Sequence, residues 1–473
     1  MQDAPQSDWR SSLRTIVFAA MAAGVLVSLA FPFGALPADS YARGRGERYR
    51  RAGDTFVRML YLSQLAGMRE GQGKQFLEQA RLQYLVSLEA APEEERTLIS
   101  LALVLSALDQ KSEAAVGLYN LLRQELPPAE RQGLIATLTV LGSQQPSPQE
   151  IDHAADYLRT FAAGPLILAR AYERAGRSDA AAQAWDAARA EGLRLAAPAM
   201  AMVAICGVLL AAGMIGLAVF IIGRVRDIRS GAGRSLPGPQ PHACRAREAV
   251  EALILWLFLA QVCRLTLDRM LPAERAAGTL AFLLPGVAAG LAAIGWVWLA
   301  SPRSARLGWR LPGAWRRLIA GISAAGLFAL PVIGLNQIIQ NLYLRYALSQ
   351  QTGLRALPEE HPLIPVITGV PTWPSKVVLI VAACAVVPAL EETLFRGIIY
   401  GALRREWSFA PAALASALVF AVAHLSAIPV APYLVLGVLF AYLYERYGSL
   451  LAPWAAHGAF NGFNLAIVLT LYR

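Results

Sequence analysis

The chain has 473 residues, 56% of them hydrophobic and 16% charged, with a mean hydropathy of +0.43. Soluble globular chains sit nearer one half apolar and one quarter charged, so this balance excludes disordered and collagen-like chains and predicts several membrane spans. The net charge of +10 does not point to nucleic acid, because no basic face interleaved with aromatic residues is present.

Charge is distributed unevenly. Residues 39–195 hold 19 basic and 20 acidic residues, whereas the rest of the chain holds 24 basic and 13 acidic ones, most of the arginines standing in short gaps between apolar runs. That is the pattern of loops flanking membrane spans. The four cysteines, Cys206, Cys244, Cys263 and Cys384, form no CxxC pair, so neither a disulfide framework nor a thiolate metal site is expected.

In chain order, residues 1–14 read as a cytoplasmic N-terminus and 15–36, following Arg10 and Arg14, as a transmembrane helix or signal anchor. A signal peptide cleaved near Ala38 fits the same run, since small residues cluster there. Residues 39–195 then lose the long apolar runs and show apolar positions at helical spacing. Four segments overlay at a period near 34. Ala102, Ala114, Leu118 and Leu121 in the second, and Ala169, Tyr172, Gly176, Ala181, Trp185 and Ala188 in the fourth, occupy small and apolar positions where paired helices pack. The first supplies Ala80, Tyr84 and Pro92, and the third needs a longer loop, Gln144-Gln145-Pro146-Ser147-Pro148, before Ala154 and Leu158. The region resembles the tetratricopeptide (TPR) repeat. An irregular helical domain with coincident alanine spacing is the alternative.

Eight further spans are predicted, near 197–223, 249–267, 277–300, 318–340, 376–403, 409–427, 430–446 and 450–471. Loop 224–247 carries Arg224, Arg226, Arg229, Arg234, Arg245 and Arg247, and loop 301–317 carries Arg303, Arg306, Arg310, Arg316 and Arg317. Both are expected in the cytoplasm. The intervening loop around Asp268, Arg269, Glu274 and Arg275 is balanced and suits the opposite side. The fold class is therefore all-α: a polytopic helical membrane protein of about nine spans, with an extramembrane helical-repeat domain between the first and second. Residues 196–317 form membrane helices with basic cytoplasmic loops, and 318–473 a membrane core. The repeat domain is expected on the extracytoplasmic side of a cell membrane, in a bacterium the inner one. Gly286 and Gly290, and Gly321 and Gly326, read as helix-packing contacts.

Ionisable residues within the last spans carry the chemistry. Glu391, Glu392 and Arg396 stand in Pro388-Ala389-Leu390-Glu391-Glu392-Thr393-Leu394-Phe395-Arg396-Gly397, and carboxylates at membrane depth mark functional sites by default. Glu392 and Arg396 are i,i+4 and can pair, which leaves Glu391, rotated by about 100°, without an account. The next span ends in Phe420-Ala421-Val422-Ala423-His424 and the last contains His457-Gly458-Ala459-Phe460-Asn461, where His457 and Asn461 share a face. Counting from the basic loop ends places Glu391 and His424 roughly 20 Å deep and Asn461 roughly 17 Å deep. A carboxylate, two imidazoles and an amide meeting at low dielectric suit water-dependent acyl chemistry. No Ser or Cys is set among them as a nucleophile; Ser416 and Cys384 read as packing residues.

Glu391-Glu392-x-x-x-Arg396, Phe420-x-x-x-His424 and His457-x-x-x-Asn461, in this order, resemble the three motifs of the CPBP family, the CAAX proteases and bacteriocin-processing enzymes also called Abi. The resemblance covers roughly 318–473 together with the Leu307-Gly308-Trp309-Arg310 lead-in. It implies an all-helical intramembrane endopeptidase in which Glu391 activates water with His424, His457 and Asn461 stabilise the oxyanion, and Glu392 and Arg396 brace the site. No cofactor is expected; a zinc ion held by Glu391, His424 and His457 is the metal-dependent alternative. The expected partners are a membrane-associated peptide or protein substrate, whether prenylated or otherwise anchored, and a protein ligand of the TPR-like domain. Two other readings use the same residues: a non-catalytic membrane scaffold, and a proton-coupled carrier.

Overall fold

The computed structural model describes residues 14–23, 38–65, 67, 70–92, 94–229, 244–270, 279–300, 308–349, 363–369, 372–424 and 430–471. All regular structure among them is helical. Predicted features outside them include the second half of the 15–36 run, Arg234, Glu274 and Arg275, Arg303 and Arg306, and Leu307 of the lead-in. The chain divides into two compact units, one built mainly from 38–204 and the other from 205–350 and 357–466 together with the N-terminal segment.

The first unit contains α2 (Ala38–Leu65), α3 (Glu70–Ala90), α4 (Glu95–Ala107), α5 (Lys111–Leu122), α6 (Pro128–Gly142), α7 (Pro148–Leu158), α8 (Gly164–Arg174) and the start of α9 (Ser178–Arg229). Their breaks follow local chemistry. Ser147 caps α7 in a reciprocal box, its hydroxyl accepting from the Glu150 amide while Glu150 accepts from the Ser147 amide, with Pro148 at the first helical position. Helix α8 closes at Gly176, φ +72°, where Arg177 N–H returns to the Tyr172 carbonyl and Gly176 N–H to that of Glu173. Asp109 closes α4 with the same pair of bonds at φ 64°. The core is one cluster running through Tyr61, Tyr84, Leu103, Leu118, Leu134 and Leu158. Ala102, Ala114, Leu118 and Leu121 from the second predicted segment are buried in it, as are Ala169, Tyr172, Ala181 and Ala188 from the fourth.

In α9 the helix does not stop where charged sequence gives way to apolar sequence near Leu195. It runs unbroken for 52 residues with Pro198 in its interior, and the division between units falls within it, after Ala204.

The second unit holds α1 (Arg14–Ala23), the rest of α9, α10 (Ala246–Met270), α11 (Thr279–Ala300), α12 (Ala314–Ser349), α13 (Leu363–Gly369), α14 (Trp373–Glu406), α15 (Phe409–Ala423), α16 (Val430–Tyr447) and α17 (Leu451–Leu471). Among the described residues three stretches are long and apolar enough to cross a membrane: Leu283–Ala300, Ala314–Tyr343 and Trp373–Glu406. Glu251, buried on α10, takes a bidentate pair from Arg14, a 3.0 Å bond from Arg247 and one from the Trp296 indole of α11, so α1 is tied to both helices. Gly290 of α11 faces Leu390 of α14, at a spacing where an added Cβ would stand 3.3 Å away. Residues 308–310 pack against the α16–α17 turn, with Leu450 N–H on the Gly308 carbonyl and Arg310 N–H on the Ser449 hydroxyl.

Candidate active site

The site is organised by two departures from α geometry in α14. Pro388 has no N–H to offer the carbonyl of Cys384 four residues earlier, and the helix widens into a π-turn over Ala382–Val386. A second π stretch covers Thr393–Tyr400, so that Glu391 and Glu392 lie on a short α segment between the two. Such bulges recur at functional sites because they turn side chains off the regular face and free backbone carbonyls.

Helix α17 supplies what the first bulge lacks. Asn461 Nδ2 donates to the Ala383 carbonyl and the Trp454 indole to that of Ala385, both at 2.8 Å. Gly458 lets the helices approach this closely: a Cβ there would stand 2.1 Å from the Cys384 carbonyl oxygen. His457, one residue earlier, is thereby set against the carboxylates. Its Nδ1 lies 2.9 Å from Glu392 Oε1 and its Nε2 3.6 Å from Glu391 Oε2. The ring stacks on Phe440, 5.0 Å between centroids.

Glu392 and Arg396 are fully buried. Arg396 donates to Glu392 Oε1 at 3.0 Å and to the Gly437 carbonyl at 3.3 Å, with its guanidinium 4.4 Å above Phe420 and 5.0 Å from Phe440. One carboxylate oxygen thus receives both Arg396 and His457. Glu391 is the more accessible acid, with 16% of its side chain exposed, and forms part of the wall of a cavity of about 50 Å³ bounded by Trp256, Gly286, Gly290 and Leu394.

His424 terminates α15, its Nδ1 donating to the Phe420 carbonyl at 2.8 Å. Phe420 lies between the imidazoles, its centroid 4.5 Å from His424 and 5.9 Å from His457. The structure therefore joins Glu392, Arg396 and His457 by hydrogen bonds, sets Glu391 3.6 Å from His457, and places His424 across the Phe420 ring. Asn461 is engaged with the bulge. Among the described residues no three His, Cys, Asp or Glu side chains are grouped so as to hold a metal ion, and Glu391, His424 and His457 are not gathered into such a cluster.

Three further residues meet the site outside the roles read from the sequence. Trp309 of the lead-in donates its indole N–H to Thr393 Oγ1 at 3.0 Å, Ser416 donates to the Phe395 carbonyl, and Tyr433 of α16 packs on His424 at 4.4 Å. Ser416 and Tyr433 are a small polar and an aromatic residue within apolar runs, where packing is the usual reason for their presence.

Residues 373–463 match the family model described as type II CAAX prenyl endopeptidase Rce1-like, and that segment holds Glu391, Glu392, Arg396, His424, His457 and Asn461. It is a CAAX-protease-family segment. A curated relative from Bacillus subtilis (strain 168), named "Putative membrane peptidase YdiL", is 35% identical over 95 residues, which is 20% of this chain and 39% of the relative. The match thus spans well under two thirds of that relative's length. No solved structure matches. The family segment begins at the first residue of α14 and ends within α17, so it coincides with the helices that build the site.

Proposed function

We propose that the chain is an intramembrane endopeptidase that hydrolyses a peptide bond in a membrane-anchored peptide or protein by Glu391-activated water. The observation that carries this reading is the approach of His457 to both Glu391 and Glu392. Two carboxylates stand against one guanidinium there, and the His457 imidazole is the group placed to relay a proton between Glu391 and the substrate. In the reaction Glu391 takes a proton from water as the water oxygen bonds to the peptide carbonyl carbon. His457 passes that proton to the departing nitrogen, and the second water hydrogen remains on the acid product. Glu392 fixes the His457 ring through Nδ1 while Arg396 holds Glu392. His424 lies on the other side of Phe420 and orders water there, and Asn461 keeps α17 seated on the bulge.

Nine spans and an extracytoplasmic TPR-like domain over 39–195, recruiting substrate or a partner protein, complete the proposal. Contacts within the membrane unit support the orientation. Arg14 and Arg247 meet at Glu251, Arg405 donates to the Cys244 carbonyl, Arg317 to that of Tyr447, and Arg404 pairs with Glu445. The basic ends of successive helices thus gather on one side, which the positive-inside rule assigns to the cytoplasm.

The test is cleavage of a pool of fluorogenic, lipid-anchored peptides by detergent-solubilised protein, with Glu391→Gln and His457→Ala alongside and a chelator in parallel. Loss in both variants with no effect of chelator is expected. Chelator loss restored by zinc would replace the water activation described here with a metal, and activity surviving Glu391→Gln would remove the peptidase reading.

A further inference from the structure

Gly286 and Gly290 lie four residues apart on α11 and share a face, but only one of them is explained by packing. At Gly290 the 3.3 Å that an added Cβ would leave to Leu390 accounts for the missing side chain. At Gly286, among the described residues, an added Cβ would meet nothing within 4 Å beyond its own turn of helix. Gly286 is exposed, and it lines the cavity of about 50 Å³ beside Glu391. Glycine weakens a helix interior, so its place here is better explained by the opening it leaves than by a contact it makes.

The rest of the wall is apolar apart from one charged side chain. Val387, Leu390 and Leu394 come from α14 and Trp256 from α10, whose ring is held edge-on to Phe395 at 5.6 Å; the charged member is Glu391. Gly286 stands 14 residues before the end of α11 at Ala300, roughly 21 Å along the helix and so level with Glu391. A side chain seated against these walls carries its own backbone past the Glu391 carboxylate. The volume limits what can sit there: cavities of roughly 150 Å³ hold a benzene ring, and this one holds a few aliphatic carbons. Trp256, Gly286 and Gly290 all precede residue 373, where the family match begins. The reacting groups lie inside the matched segment, and these three walls of the cavity lie outside it.

We propose that this cavity is the subsite for a substrate side chain flanking the scissile bond, that it takes a small aliphatic side chain and excludes an aromatic one, and that Gly286 and Trp256 set the size it accepts. Gly286 keeps the mouth open. Trp256 closes the far wall against larger groups. Neither residue takes part in the chemistry.

The inference rests on the peptidase reading, so the test separates the two. Acyl-anchored fluorogenic peptides in micelles carry Gly, Ala, Val or Phe at each of the two positions flanking the cleaved bond. At one of those positions the full-length protein is expected to favour Ala and Val over Phe by about tenfold or more in kcat/KM, since an apolar pocket discriminates by about 10–200-fold per methylene. Gly286→Leu narrows the mouth and should lower the Val-to-Gly ratio of kcat/KM by about tenfold. Trp256→Ala widens the cavity and should raise the Phe-to-Val ratio by a similar factor. Each ratio is taken on one preparation, so a variant that folds in lower yield is still informative. Wild-type ratios in either variant would overturn the inference and leave the cavity a packing void, and so would equal cleavage of all the peptides by wild type. If wild type and Glu391→Gln are equally inactive on every peptide, the peptidase reading falls and this inference with it.

Discussion

Arg396 and Glu392 are costly residues to enclose, and their partners offset only part of that desolvation, because Glu392 Oε2 and Arg396 Nε are buried without a hydrogen-bond partner among the described residues. Arg396 has Glu392, the Gly437 carbonyl and two aromatic faces, and Glu392 has Arg396 and His457. Removing one member leaves the other charged and unpaired, at a cost of about 3–5 kcal/mol. Arg396→Leu is therefore expected to lower the unfolding midpoint of the detergent-solubilised protein by several degrees, read by scanning fluorimetry. Glu391 is held differently, by one contact of 3.6 Å and a cavity wall, so Glu391→Gln should abolish cleavage while leaving that midpoint nearly unchanged. Equal loss of stability in the two variants would make Glu391 a brace. The pairing of Glu392 with Arg396, and the separateness of Glu391, were legible in the sequence, because i,i+4 spacing puts two side chains on one helix face and an adjacent residue off it. Tyr433 was not legible: an aromatic residue in an apolar helix carries no periodic mark that separates a site group from a packing group.

At the scale of elements, the decisive feature is the bulge before Pro388, and hydrophobic periodicity does not register it. A π-turn inserts one residue per turn while the surrounding sequence stays apolar on every side, so nothing in the pattern of Ala382–Val386 marks the change. Proline alone signals that one carbonyl must find another partner. The Gly458 approach is the consequence on the facing helix, and Gly458→Ala tests it. Its methyl must push α17 from the Cys384 carbonyl, lengthening the Asn461 and Trp454 bonds and shifting His457. Overpacking of this kind costs about 1–3 kcal/mol. Activity should fall further than stability does, since His457 must hold its distance to Glu391; an active variant with the wild-type melting midpoint would show that the close approach is not required. In the other unit Asp109 pays for its left-handed backbone, where glycine avoids the clash. Asp109→Gly is expected to stabilise that unit by about 1 kcal/mol, seen as a rise in the unfolding midpoint; a fall would mean the Asp109 side chain makes a compensating contact.

At the scale of the whole molecule, the two units respond to pH by different groups, and the 38–204 unit offers a simple case. The Tyr172 hydroxyl donates to Asp152 at 2.7 Å and Arg177 adds its charge, which together hold that carboxyl below its ordinary value of 3.8. A depressed folded pKa contributes stability above the unfolded value and loses it as pH falls through the folded one. Tyr172→Phe should therefore lower the unfolding midpoint at pH 7, with the gap to wild type closing toward pH 3. A gap independent of pH would assign the effect of Tyr172 to packing alone.

The N-terminal helix decides the topology of the entire chain. Residues 15–36 satisfy the rules for a cleaved signal peptide and for an anchor equally well, because both are apolar, follow arginines and end among small residues. The contacts of α1 favour retention. Arg14 pairs with Glu251 and lies 5.0 Å over the Trp296 ring, Phe18 packs on the same indole, and Arg247 reaches Thr15. Loss of α1 would strip a buried carboxylate of one of its two guanidinium partners, and segments destined for removal do not ordinarily complete the packing of what remains. The intact mass of the protein purified from membranes is thus expected to include residues 1–36. Under the proposed orientation, with Arg14 and Arg247 toward the cytoplasm, a single crossing by 15–36 would deliver 39–195 to the other side. Protease added outside intact spheroplasts should then cut within 39–195 while sparing loops 224–247 and 301–317. Protection of 39–195 until the cells are lysed would invert the orientation, and a mature N-terminus near Ala38 would show that the Glu251 cluster forms without α1.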